Sequence, residues 1–134
     1  MADRIQFELV SPERLLLSRA VEMVVVPGSE GDFGVLPEHA PTVAALRPGV
    51  ISVFENNQVI ERVFVAGGFA EVNERGCTVL AEEAMPVEEI DVGRARERRS
   101  DAEDDLREAK DDAERGRAER EIGVAEAMLQ AAGA

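Results

Sequence analysis

Apolar positions in the first two thirds of the chain recur with a period close to two. Ile5, Phe7 and Leu9 alternate with Gln6 and Glu8, and Val50, Ser52 and Phe54 lie opposite Val59, Glu61 and Val63 across Asn56-Asn57. Such alternation predicts strands joined by tight turns. Further strands are predicted at 21–26, 63–65, 69–72 and 78–81, with turn chemistry at Pro27-Gly28, Pro48-Gly49, Gly67-Gly68 and Arg75-Gly76. Many short strands at this spacing describe an all-β antiparallel sandwich or a flattened barrel.

Near residue 87 the period changes. Ala95, Ala102, Leu106, Ala109 and Ala113 form one stripe at helical spacing, Gly116 is the predicted break, and Ala118, Ile122, Ala125 and Leu129 repeat the stripe. Two antiparallel helices meeting at alanine-rich faces follow. The expected organisation is a β unit over 1–87 and an α-helical hairpin over 88–134. Small side chains bury little area, so the hairpin is expected to be marginal alone and easily detached.

Composition narrows the function. A chain of 134 residues holds one ordinary core. Five Phe and no Trp or Tyr are a poor inventory for stacking bases, so affinity for them is not expected. The net charge of −13 repels phosphate backbones and anionic headgroups, so neither nucleic acid nor direct lipid binding is expected. The charge is shared between the halves, with 6 basic and 13 acidic residues before 88 and 9 and 15 after it. Cys77 is the only cysteine, which rules out an internal disulfide and suggests a buried small hydrophobe in a reducing compartment. The start, MADRIQFELV, carries no expected secretory signal or Arg-rich transit peptide, and no apolar run approaches the ~20 residues of a spanning helix. Any membrane association is expected to go through a partner. No metal-ligand or nucleophile-base set stands out around the lone His39, so no cofactor and no enzymatic activity are expected.

The segment 27–41, PGSEGDFGVLPEHAP, is the most distinctive stretch. It lacks the Lys and Ser/Thr of a phosphate-binding loop and carries Glu30 and Asp32, so backbone turns are the plain explanation of its glycines. Its detail goes further. Gly31, Gly34, Val35, Leu36, Pro37, His39, Ala40 and Pro41, then Gly67, Gly68, Phe69 and Val72, then Val79, Leu80 and Ala81, stand in the order of motifs in the epsilon subunit family of bacterial F-type ATP synthases, which is related to the mitochondrial delta subunit. The chain resembles that family along nearly its whole length.

The resemblance implies a ten-stranded β-sandwich followed by two helices: a non-catalytic rotor subunit of a proton-translocating synthase. It would dock on the gamma subunit and on the polar loops of the membrane c-ring, peripheral to the cytoplasmic side of the bacterial inner membrane. Asp32 and His39, with Glu30 beside them, are the implied c-ring contacts; for His39, a hydrogen bond within its own turn is an equal alternative. Ile90-Asp91-Val92-Gly93-Arg94-Ala95 matches a motif associated with ATP binding in some relatives, which would make Asp91 and Arg94 nucleotide contacts. Those relatives carry further acidic and arginine positions where this chain has Met85, Asp101, Val124 and Met128. An N-cap role for Asp91 is the competing expectation. Family hairpins also reach the alpha and beta subunits to inhibit hydrolysis; the stretch 122–134 contains no Lys or Arg, which predicts weak inhibition here. A stand-alone β-sandwich adaptor that recruits partners through a charged hairpin needs only the period switch and the acidic surface, and is the alternative.

Overall fold

In β1 (Ile5–Val10) the alternation becomes a buried and an exposed face: Phe7 and Leu9 are sealed from solvent while Gln6 lies outside. The chain continues through β2 (Leu15–Val21), β3 (Met23–Gly28), β4 (Gly31–Val35), β5 (Thr42–Ala45), β6 (Gly49–Glu55), β7 (Gln58–Ala66), β8 (Phe69–Asn73), β9 (Gly76–Leu80) and β10 (Glu83–Pro86), with the alternation again clean in β8. The computed structural model describes residues 4–134. Its contacts divide into one unit ending at Val87 and another spanning Glu88–Ala134.

Two five-stranded sheets, β2-β1-β9-β8-β5 and β10-β7-β6-β3-β4, make the sandwich. Between them lie Phe7, Leu9, Ala70, Val72 and Val79 from the first sheet and Val24, Val26, Ile51, Val53, Val63 and Val65 from the second. Burying each Val, Leu, Ile or Phe side chain contributes about 1.5–3 kcal/mol, so this interlayer carries the stability of the unit.

Several local expectations change. One pairing, β1 with β9, is parallel, because the chain circles the sandwich before its ninth strand returns beside the first. The strands β2, β5 and β10 lack clean alternation and were not predicted. The segment 27–41 is more than a connection: β4 lies inside it and pairs with β3 as a hairpin, so the turn falls at Ser29-Glu30 rather than at Pro27-Gly28. Asn56 and Asn57 do form the predicted turn, with φ of 52° and 62°. Two successive positive values are the I′ geometry that suits strand twist and that Asn tolerates. Beyond it a bulge at Val53/Phe54 shifts the register, pairing Phe54 with Val59 as expected but Glu61 with Val53 and Val63 with Ile51.

A 3₁₀ turn at Val87–Glu89 precedes α1 (Val92–Glu108) and α2 (Asp112–Ala131). The break between helices is at 109–111, not at Gly116, which α2 passes straight through. The cause is a cap stronger than one glycine: Asp111 accepts from the Glu114 N–H at 2.8 Å, and Glu114 Oε1 reaches back to the Lys110 N–H at 3.0 Å. Together they form a capping-box variant. The facing stripes are Ala95 and Ala102 on α1 and Ala118 and Ala125 on α2, all buried. Between the alanines, Arg98 spans to Glu121 with Nε to Oε2 at 3.0 Å and Nη2 to Oε1 at 2.7 Å.

Candidate functional site

Asp32 with Glu30, His39, and Asp91 with Arg94 each have a definite setting. Asp32 lies on β4 opposite Pro27. Its Oδ1 accepts from Arg47 Nη2 at 2.5 Å, while Arg47 Nη1 donates to the Gly28 carbonyl at 2.6 Å and the Arg47 backbone N–H donates to Pro27 O at 3.0 Å. Arg47 thus straps the β3–β4 hairpin to the end of β5. Sequence reasoning missed it, since nothing in the local pattern links residue 47 to residue 32. Asp32 and Arg47 both remain well exposed, so water screens the pair and it contributes at most about 1 kcal/mol. Its main effect is positional. Glu30, on the turn, is exposed and has no ion-pair partner among the described residues.

His39 closes a turn in which its backbone N–H donates to Leu36 O at 3.2 Å. Pro37 occupies the second position and Glu38 the third with φ of 67°, the backbone pattern of a type II turn. His39 Nδ1 lies 2.7 Å from the Ala40 carbonyl, so that nitrogen carries the proton in this arrangement, and the ring tilts against Phe33 at a centroid distance of 6.4 Å. The own-turn hydrogen bond is therefore present. The His39 ring thus reaches back to β4, but its turn lies beside Asn73, Arg75 and Gly76, whereas the 29–30 turn and Arg47 lie beside Ala45, Leu46 and Gly68 at the other end of β8, so the fold does not bring Glu30 and Asp32 together with the His39 turn.

Asp91 is the N-cap of α1: its Oδ1 accepts from the Arg94 N–H at 3.1 Å. The Arg94 side chain lines an open groove with Glu97, Arg98, Asp101, Ala102, Asp105 and Glu121. Four carboxylates against two guanidiniums make that groove a poor seat for a triphosphate. Among the described residues no cluster of His, Cys, Asp and Glu could hold a metal ion.

The first sheet carries a surface that the sequence reading did not single out. Cross-strand pairing aligns Ala45 with Phe69, Phe69 with Leu80, Leu80 with Val10, and Val10 with Leu15. Paired residues share a face, so this apolar row crosses all five strands, a length of about 19 Å at ~4.8 Å per strand. It points away from the core, with Phe69 51%, Leu80 47% and Leu15 56% exposed and Val43 one step behind at 72%. The available signal was consecutive apolar residues, as in Val79-Leu80, where one side chain must face outward while the other fills the core.

A two-layer sandwich with a continuous outward apolar row, followed by a capped helical hairpin, is the architecture of a β-sandwich protein with an α-helical extension. Residues 4–87 match the family described as ATP synthase, Delta/Epsilon chain, beta-sandwich domain. The chain is 55% identical to an ATP synthase epsilon chain of Paramagnetospirillum magneticum and 53% identical to one of Rhodospirillum rubrum, in each case over 98% of both chains. It also superposes on a chain in the cryo-EM structure of the Euglena gracilis mitochondrial ATP synthase (OSCP/F1/c-ring), with TM-score 0.80 and 28% identity over 96% of this chain and 81% of that one. A chain in the Tetrahymena thermophila mitochondrial ATP synthase central stalk and c-ring shares the fold, with TM-score 0.70 and 13% identity over 96% of both chains. The chain belongs to the ATP synthase delta/epsilon family, whose members are non-catalytic subunits of that complex. Among the described residues no helix is long and apolar enough to cross a membrane.

Proposed function

We propose that this chain is a central-stalk rotor subunit of a proton-translocating F-type ATP synthase, linking the gamma subunit to the c-ring and coupling rotation to ATP synthesis. The observation that carries the reading is the outward row of Ala45, Phe69, Leu80, Val10 and Leu15. An exposed apolar strip spanning a whole sheet is an interaction surface in waiting, and the gamma subunit is its occupant in this reading. The c-ring contact falls to the opposite kind of surface, the charged end of the β3–β4 hairpin holding Glu30 and Asp32, while His39 keeps to its own turn. Membrane association is then indirect, through the ring, on the cytoplasmic side of a bacterial inner membrane.

The hairpin is the accessory arm. In this reading Asp91 and Arg94 serve as a helix cap rather than a nucleotide site. Contact with the alpha and beta subunits is weak, because 122–134 carries no positive charge. The test is binding of the full chain to its purified gamma subunit. Phe69→Asp with Leu80→Asp, both at exposed positions, should abolish binding while leaving the thermal midpoint within a few degrees of the parent. Parental affinity in the folded double variant would overturn the reading and favour the stand-alone adaptor.

A further inference from the structure

One rung behind the apolar row, past Val43 on the edge strand β5, the outward positions turn polar. Glu71 pairs across to Thr78, and Thr78 to Glu8, so two carboxylates flank one hydroxyl on adjacent strands. At ~4.8 Å per strand their backbones stand about 10 Å apart, and the rung lies about 6.7 Å behind the Phe69–Leu80 pair. The following rung, Asn73, Gly76, Gln6 and Ala20, is uncharged. No Lys or Arg occupies an outward position on any of the five strands.

The two acids are held differently. Glu8 Oε2 accepts from Ser18 Oγ at 3.2 Å, and Gln6 Nε2 donates to Ser18 Oγ at 3.3 Å, so a short polar chain orients that carboxylate. Glu71 is exposed, with no ion-pair or side-chain hydrogen-bond partner among the described residues. At this separation the two carboxylates repel each other only weakly at physiological salt. A cation placed over Thr78 would stand within reach of both.

We propose that the Glu8–Thr78–Glu71 rung is the specificity element of the sheet's docking surface. It receives one Lys or Arg of the stalk partner, over Thr78, while apolar side chains of the same partner segment cover the Phe69 row. This rests on the stalk-docking reading above and adds the chemistry of the occupant: a segment with an apolar row and a basic side chain one rung to the side. An anionic or uncharged apolar segment is rejected, because it would strip water from two carboxylates and return nothing.

The test uses the full chain and its purified gamma subunit, with association measured from 20 mM to 500 mM salt. Glu71→Gln, and Glu8→Gln with Glu71→Gln, replace charge by an isosteric amide at surface positions. The double variant should bind about tenfold more weakly at low salt, chiefly through slower association, and should lose most of the salt dependence of the parent. Glu71→Gln alone, which touches no internal hydrogen bond, should show a smaller change in the same direction. Parental affinity and salt dependence in both Gln variants, together with lost binding in the Phe69→Asp, Leu80→Asp variant, would overturn the charge proposal and leave the docking reading standing. Parental binding in all the variants would overturn both.

Discussion

Cys77 lies in β9, 1% exposed, and pairs in register with Phe7 and Val72. Burial away from any cation pushes its thiol up from 9.0 to about 11. The folded protein then holds a proton that the unfolded chain releases, so stability is intact below about pH 9 and declines as pH rises towards 11, by on the order of 2 kcal/mol. Chemical denaturation across that range should show the decline, and Cys77→Ala should flatten it. Glu55 is displaced the other way: the Arg4 guanidinium bonded to it holds its carboxyl below the usual range. Its contribution is present above the ordinary carboxylate pKa and is lost on acidification. Arg47 was illegible for a plain reason. Its partners are the carboxylate of Asp32 and the carbonyl of Gly28, and only the fold brings them together.

The helical hairpin shows how competing local signals are resolved. Gly116 and Gly123 both lower helix propensity by ~1 kcal/mol relative to Ala, yet α2 runs through both, because the Asp111 cap and the seam of alanines favour one continuous helix. A methyl group at Gly123 meets nothing within 4 Å. Gly123→Ala should therefore stabilise the hairpin by about 0.5–1 kcal/mol, and Asp111→Ala should weaken it by about 1 kcal/mol. Helix content followed by circular dichroism through thermal unfolding checks both signs. Gly68 is the contrary case: at φ +94° its added Cβ would fall 1.8 Å from the Leu80 carbonyl oxygen, so the Gly67-Gly68 turn admits no side chain there. The Arg98–Glu121 pair sits where a hydrophobic seam residue would be expected, and its partial exposure keeps its contribution small. Met128 and Leu129 of α2 are buried as well, so the helices rest on small apolar groups and one screened ion pair.

At the scale of the whole molecule, the β unit has its own two-sheet core, and the proposed stalk surface lies entirely on its first sheet. A chain ending at Val87 should therefore bind gamma within about threefold of the full chain. Truncation should also leave the ATPase rate of the assembled complex nearly unchanged, as expected of weak inhibition. Binding assays and steady-state hydrolysis measure the two independently. A rate that rises severalfold on truncation would return the hairpin to a strong inhibitory role, and loss of gamma binding would move the interface onto the hairpin.

Much of this was decided by the sequence itself, through local physics. The change of period near residue 87, the Asn-Asn hairpin, the Asp91 cap and the alanine stripes all depend on residues a few positions apart. Their preferences survive whatever surrounds them. The tertiary structure decided what depends on distant partners: the parallel return of β9 beside β1, the strand within 27–41, the Arg47 strap, and the face to which each apolar residue of β8 and β9 turns. A period of two says that neighbours point to opposite sides, but not which side is covered. Only the stacking of the second sheet buries Ala70 and Val79 and leaves Phe69 and Leu80 facing out, which is why the docking row and its acidic rung became visible only in the folded chain.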